Sequence, residues 1–378
     1  MTLAQPSDPL STSSGGDVTD TSHLAADRRR GRAAATNRSG RFEKLSREAF
    51  DDGWDSLDEL PPLKTEVQEE RARTIITRNE SPDISFDRSI NPYRGCEHGC
   101  IYCFARPSHA FMGLSPGLDF ETRLFAKPNA AQLLERELSK PGYQPKVIAI
   151  GTNTDPYQPM ERSYKLMPEI LEVLEACGHP VAIVTKSALV TRDIEVLARL
   201  AERNLVKVAL SVTTLDKKLC RTIEPRASAP HKRLAAVKAL SEAGIPTSVM
   251  MAPIIPALTD SEIEGLLEAA ADHGASEAAF ILLRLPLEVS ELFRDWLLRN
   301  RPDRYRHVMN LIRSMRGGKD YDAKWGERMR GRGPYADQIS KRFSLAAKRF
   351  GLNLRKKKLS TDHFIQPQKG GVQLSLFE

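Results

Sequence analysis

The chain has 378 residues, 40% of them hydrophobic and 28% charged, with 56 Lys and Arg against 49 Asp and Glu and a net charge of +7. No apolar run approaches the roughly 20 residues that a bilayer-spanning helix needs, and the first thirty residues, rich in Ser, Thr, Asp and Arg, lack the apolar centre of a secretory leader. A cytoplasmic protein with reduced thiols and no membrane partner is the expectation, and the basic balance suits a polyanion such as nucleic acid.

Residues 1–80 are polar, poor in aromatics and interrupted by Gly, Ser and Pro, so they read as a largely disordered basic N-terminal arm centred on RRRGRAAATNRSGR. Such an arm either touches phosphates or is simply solvated. Beyond it, short β-branched runs begin to alternate with amphipathic segments. A first strand around RSINPY is followed by KVIAIG (146–151), PVAIVT (180–185), VKVALSVTT (206–214), TSVMMAPI (247–254) and AAFILLRLP (278–286). Between them NAAQLLERELSK, YKLMPEILEVLEA, TRDIEVLARLAER, HKRLAAVKALSEA and TDSEIEGLLEAAADH carry apolar residues at helical spacing. Six β/α units imply a parallel sheet with right-handed crossovers, and six are too few for a closed eight-stranded barrel. The expected fold is therefore α/β, an open partial (β/α)6 TIM-like barrel over residues 81–300. A basic helical extension (301–359) and a flexible tail (360–378) are expected to follow it.

The stretch GCEHGCIYCFARP (95–107) places Cys96, Cys100 and Cys103 at Cys-x3-Cys-x2-Cys spacing. Soft thiolates select zinc or an iron–sulfur cluster. For zinc, His98 is the candidate fourth ligand. Cys177 and Cys220 lie in or beside predicted helices without pairing partners and read as inert buried thiols. A four-iron cluster with three protein thiolates keeps one iron open for another ligand.

Cys-x3-Cys-x2-Cys with Tyr102 directly before the last cysteine, just after a first strand of a β/α series, resembles the radical S-adenosylmethionine (SAM) superfamily. NPYRGCEHGCIYCFAR further resembles its spore photoproduct lyase-like branch, and the likeness covers roughly residues 80–300. It implies an enzyme whose [4Fe-4S] cluster, held by Cys96, Cys100 and Cys103, binds SAM at the open iron. An external one-electron reductant drives cleavage of SAM to a 5′-deoxyadenosyl radical. The loops at the carboxyl ends of the strands would then supply the SAM contacts. These are Tyr102 against adenine, Thr152, Asn153, Thr154 and Asp155 after the second strand, Lys186 at the SAM carboxylate, Ser211, and Ile254 or Ile255 against adenine. Each has a plainer alternative: Asn153, Thr154 and Asp155 as caps or turns, Lys186 as a surface lysine. Arg94 reads as structural. The photoproduct lyases carry a hydrogen-donating cysteine near the end of the second strand. Here VIAIGTNTD has none, so another donor such as Tyr157, or another reaction, is needed.

The chain closes on QLSLFE, in which Gln373, Leu374, Ser375, Leu376 and Phe377 resemble the pentapeptide that docks on the bacterial sliding clamp. Apolar anchors in a pocket with Gln at its rim would carry such docking. The combined expectation is a radical SAM enzyme acting on damaged or modified DNA, a lyase or DNA-repair enzyme. The alternatives are modification of RNA or protein, and a non-enzymatic zinc-stabilised DNA adaptor on the clamp.

Overall fold

The computed structural model describes residues 29–43, 63–354 and 357–368. The strands are β1 (Glu66–Glu69), β2 (Ile76–Arg78), β3 (Arg88–Ile90), β4 (Tyr93–Arg94), β5 (Arg123–Ala126), β6 (Ile148–Ile150), β7 (Val181–Thr185), β8 (Val206–Ser211), β9 (Thr247–Ile254) and β10 (Glu277–Leu282). Seven form the main sheet, in the order β10-β9-β8-β7-β6-β3-β2. All neighbours from β3 to β10 pair in parallel, and β2 joins the β3 edge antiparallel. Six parallel strands in sequence order, each crossover filled by helix, make the partial (β/α)6 barrel.

The crossover helices form because their apolar residues fall on one face. Ile194–Glu202 buries Leu197 and Leu200, and Ile263–Asp272 buries Ile263, Leu266, Leu267 and Ala270. These side chains join Ile148, Ile150, Val181, Ile183, Val208, Val249 and Met251 of the strands in one core. Strands β6 to β9 bury one face fully and most of the other, so they were readable as largely apolar runs, whereas β3, Arg-Ser-Ile, carries no such signal.

Three expected boundaries differ from what is observed. Within the presumed disordered arm, Ala33, Ala34 and Ala35 are buried and β1 joins a small second sheet, β1-β5-β4. The cause is a long-range contact: the Glu121 carboxylate accepts the Ala33 and Ala34 N–H groups at 3.2 and 3.0 Å, and these two small side chains pack with Cys100, Ile101 and Tyr102. The segment 301–359 is not a separate extension. Helix Pro334–Arg349 places Ile339, Phe343, Ala346 and Ala347 in the sheet's own core, while Val308, Met309 and Ile312 of Tyr305–Ser314 cluster with Cys100, Ile101 and Tyr102. Its arginines are partly held in ion pairs, Arg313 with Asp320 and Arg342 with Glu264.

Finally, the tail is docked as far as Gln368. The Ser360 N–H donates to Asn204 O (3.0 Å), the Ile365 N–H to Cys177 O (2.9 Å), and Phe364 packs against the Tyr143 and His179 rings. Asn204, Cys177 and His179 precede β8 and β7, so this docking lies at the amino ends of the strands. Gln373, Leu374, Leu376 and Phe377 lie outside the described residues. Among the described residues no helix is long and apolar enough to cross a membrane.

Candidate radical SAM site

The cysteine loop leaves β3 at its carboxyl end and curls through consecutive turns, with the Gly99 N–H donating to Cys96 O and the Cys103 N–H to Cys100 O, both at 3.2 Å. Gly99 sits at φ +64, and a Cβ there would meet the Glu121 carboxylate at 2.7 Å, so glycine is required. Anchors to neighbouring elements are backbone bonds from Cys96 N to Phe120 O and from Ile101 N to Ile223 O, both 3.0 Å.

The loop's shape is imposed by Arg106, which is fully buried. Its guanidinium donates to Cys100 O (2.9 Å), Gly99 O (3.0 Å), Pro116 O (3.0 Å) and Gly117 O (2.9 Å), and pairs with Glu121 Oε1 at 2.6 Å. Five donors in a planar fork meet five acceptors, an arrangement that Lys, with three donors, does not reproduce.

Cys96 and Cys100 are buried and Cys103 is half-buried, all as free thiols. Burial, reinforced by neighbouring charge, pushes the Cys100 thiol well above its ordinary value, and burial together with Cys96 raises Cys103. Thiols that resist ionisation in each other's company fit a cationic centre, which turns that repulsion into ligation. Among the described residues no three His, Cys, Asp or Glu side chains converge to the spacing one metal ion needs. A four-iron cluster, whose thiolates sit on different irons, accepts a wider set. His98, the fourth ligand of the zinc reading, is instead held between Cys96 and Asp155, with Nδ1 3.3 Å from Asp155 Oδ2. Burial opposes its charge, but Asp155 and Cys96 prevail and raise it to about 10.

The residues expected at the strand ends divide into two groups. Tyr102, Lys186 and Ser211 come together: Lys186 Nζ donates to Ser211 Oγ (2.6 Å) and Ala252 O (3.2 Å) and lies 5.6 Å from the centre of the Tyr102 ring. Asp155 also belongs here, accepting from Thr185 Oγ1 (2.6 Å) and the Lys186 N–H (2.7 Å), so it fixes the start of the loop after β7. Its carboxyl stays below the ordinary range despite burial because of His98.

In the second group, Thr152 and Asn153 are held by Asn91, through Thr152 Oγ1 at 3.3 Å and the Asn153 N–H at 3.0 Å, and Thr154 caps Tyr93 O at 3.0 Å. The Asn153 residue is exposed. Ile254 faces away from the site into the sheet core, and Ile255 joins Cys100 and Tyr102 in the adjoining cluster. The reason is a register shift: Phe280 pairs with Met251 but Leu282 with Ile254, so one extra residue in β9 changes which side chain faces which side. Tyr157, the candidate hydrogen donor, is fully buried in the core.

Two residues were not anticipated. Glu224 is fully buried, receives the Tyr102 hydroxyl and the Arg233 guanidinium, and lies 3.5 Å from Lys186 Nζ. Burial works against its charge, yet Arg233 and Lys186 hold it well below the usual carboxylate range. Arg233, equally buried, also donates to Ser211 O at 2.8 Å. Their sequence signal, Glu-Pro-Arg after a short helix and Arg at the next helix start, is indistinguishable from surface charge. Arg94, expected to be structural, pairs with Glu70 at 2.7 Å.

A family model described as the Radical SAM superfamily matches residues 90–270. An uncharacterized protein of Mycobacterium tuberculosis (strain ATCC 25618 / H37Rv) is 40% identical over 230 residues, spanning 60% of this chain and 68% of that protein. The chain belongs to the radical SAM superfamily. Another similar protein, uncharacterized and from Methanocaldococcus jannaschii, is 28% identical over 248 residues, 65% of this chain and 88% of its own. Among solved structures, spore photoproduct lyase complexed with dinucleoside spore photoproduct aligns with TM-score 0.55 at 16% identity, covering 76% of this chain and 80% of that one. A variant of that lyase with bound AdoMet and the dinucleoside gives the same TM-score and coverage. The solved lyase structures share the fold. Members of the superfamily use a [4Fe-4S] cluster and SAM, and the residues of this site fit both: three thiols on one locked loop, and a buried lysine beside them.

Proposed function

We propose that this radical SAM enzyme acts on damaged or modified DNA, with Cys96, Cys100 and Cys103 holding the cluster and Tyr102, Lys186 and Ser211 holding SAM. The observation that carries the site assignment is Lys186, a side chain only 15% exposed beside the cysteine loop, whose ammonium is held by Ser211 Oγ and Ala252 O and shares Glu224, 3.5 Å away, with Arg233. A cation kept at that spot suits the carboxylate of an amino-acid cofactor. Ser211 and Ala252 O hold the ammonium in place, Asp155 fixes the Lys186 backbone, and Glu224 with Arg233 keeps Tyr102 from turning. When bound, the cluster and SAM supply one-electron cleavage of the sulfonium and, through it, hydrogen abstraction. The fold shared with a lyase whose substrate is a dinucleoside photoproduct, and the net charge of +7, support DNA as substrate. The QLSLF tail supports delivery by the sliding clamp. With neither a cysteine after β6 nor an accessible Tyr157, the abstracted hydrogen is returned by a different route from that of the photoproduct lyases, or is not returned.

The test is anaerobic: reconstitute with iron and sulfide, add SAM and dithionite, and quantify 5′-deoxyadenosine with and without ultraviolet-irradiated DNA, using Cys100→Ala as control. Cys100-dependent product stimulated by irradiated DNA supports the reading. Product that ignores DNA and rises instead with RNA or peptide would sink it.

A further inference from the structure

Arg284, at the mouth of the barrel, is a charged side chain that the cofactor reading leaves without a role. Arg284 lies two residues beyond the end of β10, at the same end of the sheet as the cysteine loop. Its guanidinium carbon sits 4.4 Å over the ring of Phe104, the residue that follows Cys103. Phe104 is 42% exposed, although it adjoins a buried cysteine loop. Arg284 itself is half-buried, and its guanidinium has no hydrogen-bond acceptor among the described residues. The contrast with its neighbours is sharp. Arg106 meets five acceptors, Arg316 donates to Glu327 O and Leu283 O at 2.9 Å each, and Arg328 is held by Asp83 and Ser81. Burial lowers the Arg284 pKa, with Tyr321 opposing and Arg328 reinforcing it.

The Arg284 nitrogens reach solvent, so water fills them in the free protein, and a ligand whose oxygens replace that water gains a charge-assisted contact. An exposed aromatic beside it adds a flat apolar face. Together they match an unstacked nucleotide: the base lies on the Phe104 ring, and carbonyl or phosphate oxygens take the guanidinium donors. A base inside a duplex has both faces covered by its neighbours, so a nucleotide whose base lies on the Phe104 ring has to leave the stack. We infer that Phe104 and Arg284 form a binding subsite for an extrahelical nucleotide, directly beside Cys103. This inference rests on the DNA reading above and adds where, and in what conformation, the substrate is held.

The test uses the anaerobically reconstituted protein with SAM and a fluorescein-labelled twelve-nucleotide oligo(dT), with binding followed by anisotropy and iron measured for every variant. Arg284→Ala and Phe104→Leu are each expected to weaken binding about ten-fold. Arg284→Lys should lose most of the same affinity because it lacks the planar fork, whereas Phe104→Tyr should retain it. Wild-type affinity in both Arg284→Ala and Phe104→Leu overturns the subsite while leaving DNA as substrate intact. No binding by the wild-type protein removes the DNA reading and the subsite together. A fall in iron content confined to Arg284→Ala overturns the subsite as well, by showing that the cation serves the cluster.

Discussion

Replacing Arg106 by Met keeps the side chain's length while removing its charge and all its donors. The structure sets the cost. Five acceptors lose their partner at once: the carbonyls of Gly99, Cys100, Pro116 and Gly117, and the Glu121 carboxylate at 2.6 Å. Removing one member of a fully buried ion pair costs about 3–5 kcal/mol because the other charge stays buried and unpaired. That is a large share of the roughly 5–15 kcal/mol that holds a domain folded. The damage is also local, since two of the carbonyls belong to residues between Cys96 and Cys103. Arg106→Met should therefore melt earlier as apoprotein and bind well under half the wild-type iron after reconstitution. Glu121→Gln tests the same pair from the other side: it still offers one acceptor to Ala34 N, and should fall between wild type and Arg106→Met. If Arg106→Met melts with the wild type and takes up a full cluster, the loop is shaped by something other than this guanidinium.

Glu224→Gln should cost about 3 kcal/mol in denaturant unfolding, because it leaves Arg233 buried without a counter-ion, and it should weaken SAM binding by releasing Tyr102 and Lys186; unchanged stability and SAM affinity would refute this. Since the carboxyl of Glu224 is depressed in the folded state, its contribution is present above its unfolded value and lost as the pH falls toward the folded one. His109 and His179 predict a second acid effect at milder pH. Both are fully buried, and burial lowers each to about 4. Below the unfolded value near 6.5 the unfolded chain binds more protons, so stability falls between about pH 6.5 and 4, by up to about 3 kcal/mol per histidine. Thermal melts across that range should show the slope, and His179→Gln should flatten part of it; a flat wild-type profile would contradict the burial argument.

The barrel was legible because strands β6 to β9, buried fully on one face and mostly on the other, leave largely apolar runs, and because the cysteine spacing marks the start of the site. What was not legible came from long-range polar pairing. Ala33 and Ala34 look like part of a loose basic arm until Glu121, far along the chain, accepts their N–H groups. Glu224 and Arg233 look like ordinary surface charges, yet they are the most buried ion pair beside Lys186. Position at the strand end did not separate Ile254 from Ile255: a one-residue bulge in β9 puts Ile254 in the sheet core and leaves Ile255 with Cys100 and Tyr102. The tail from Ser360 to Gln368 reads as polar linker, but its backbone bonds to Asn204 and Cys177 tie it to the amino ends of the strands. A clamp held by the last residues would therefore be tethered from the face opposite the cysteine loop, by the five residues from Lys369 to Gln373, at most about 18 Å when fully extended.

The distribution of unmet hydrogen bonds separates the two halves of the mouth. Around the cysteine loop, Arg106, Glu121, Asp155, Glu224 and Arg233 are held by one another, by backbone and by the side chains of Tyr102, Thr185 and Thr213, and a network tied in this way resists reshaping. That is what a cofactor site shared across a superfamily requires, because its ligand never changes. At the end of β10 the opposite holds: Arg284 has no acceptor among the described residues and lies over Phe104, itself 42% exposed, so both are open to solvent and to a ligand. On the proposal above, the tied network would hold SAM and the cluster, and the open pair would meet the substrate. If so, substitutions at Arg284 should alter which molecule is bound, whereas substitutions at Glu224 or Arg106 should alter whether the cofactors are bound at all.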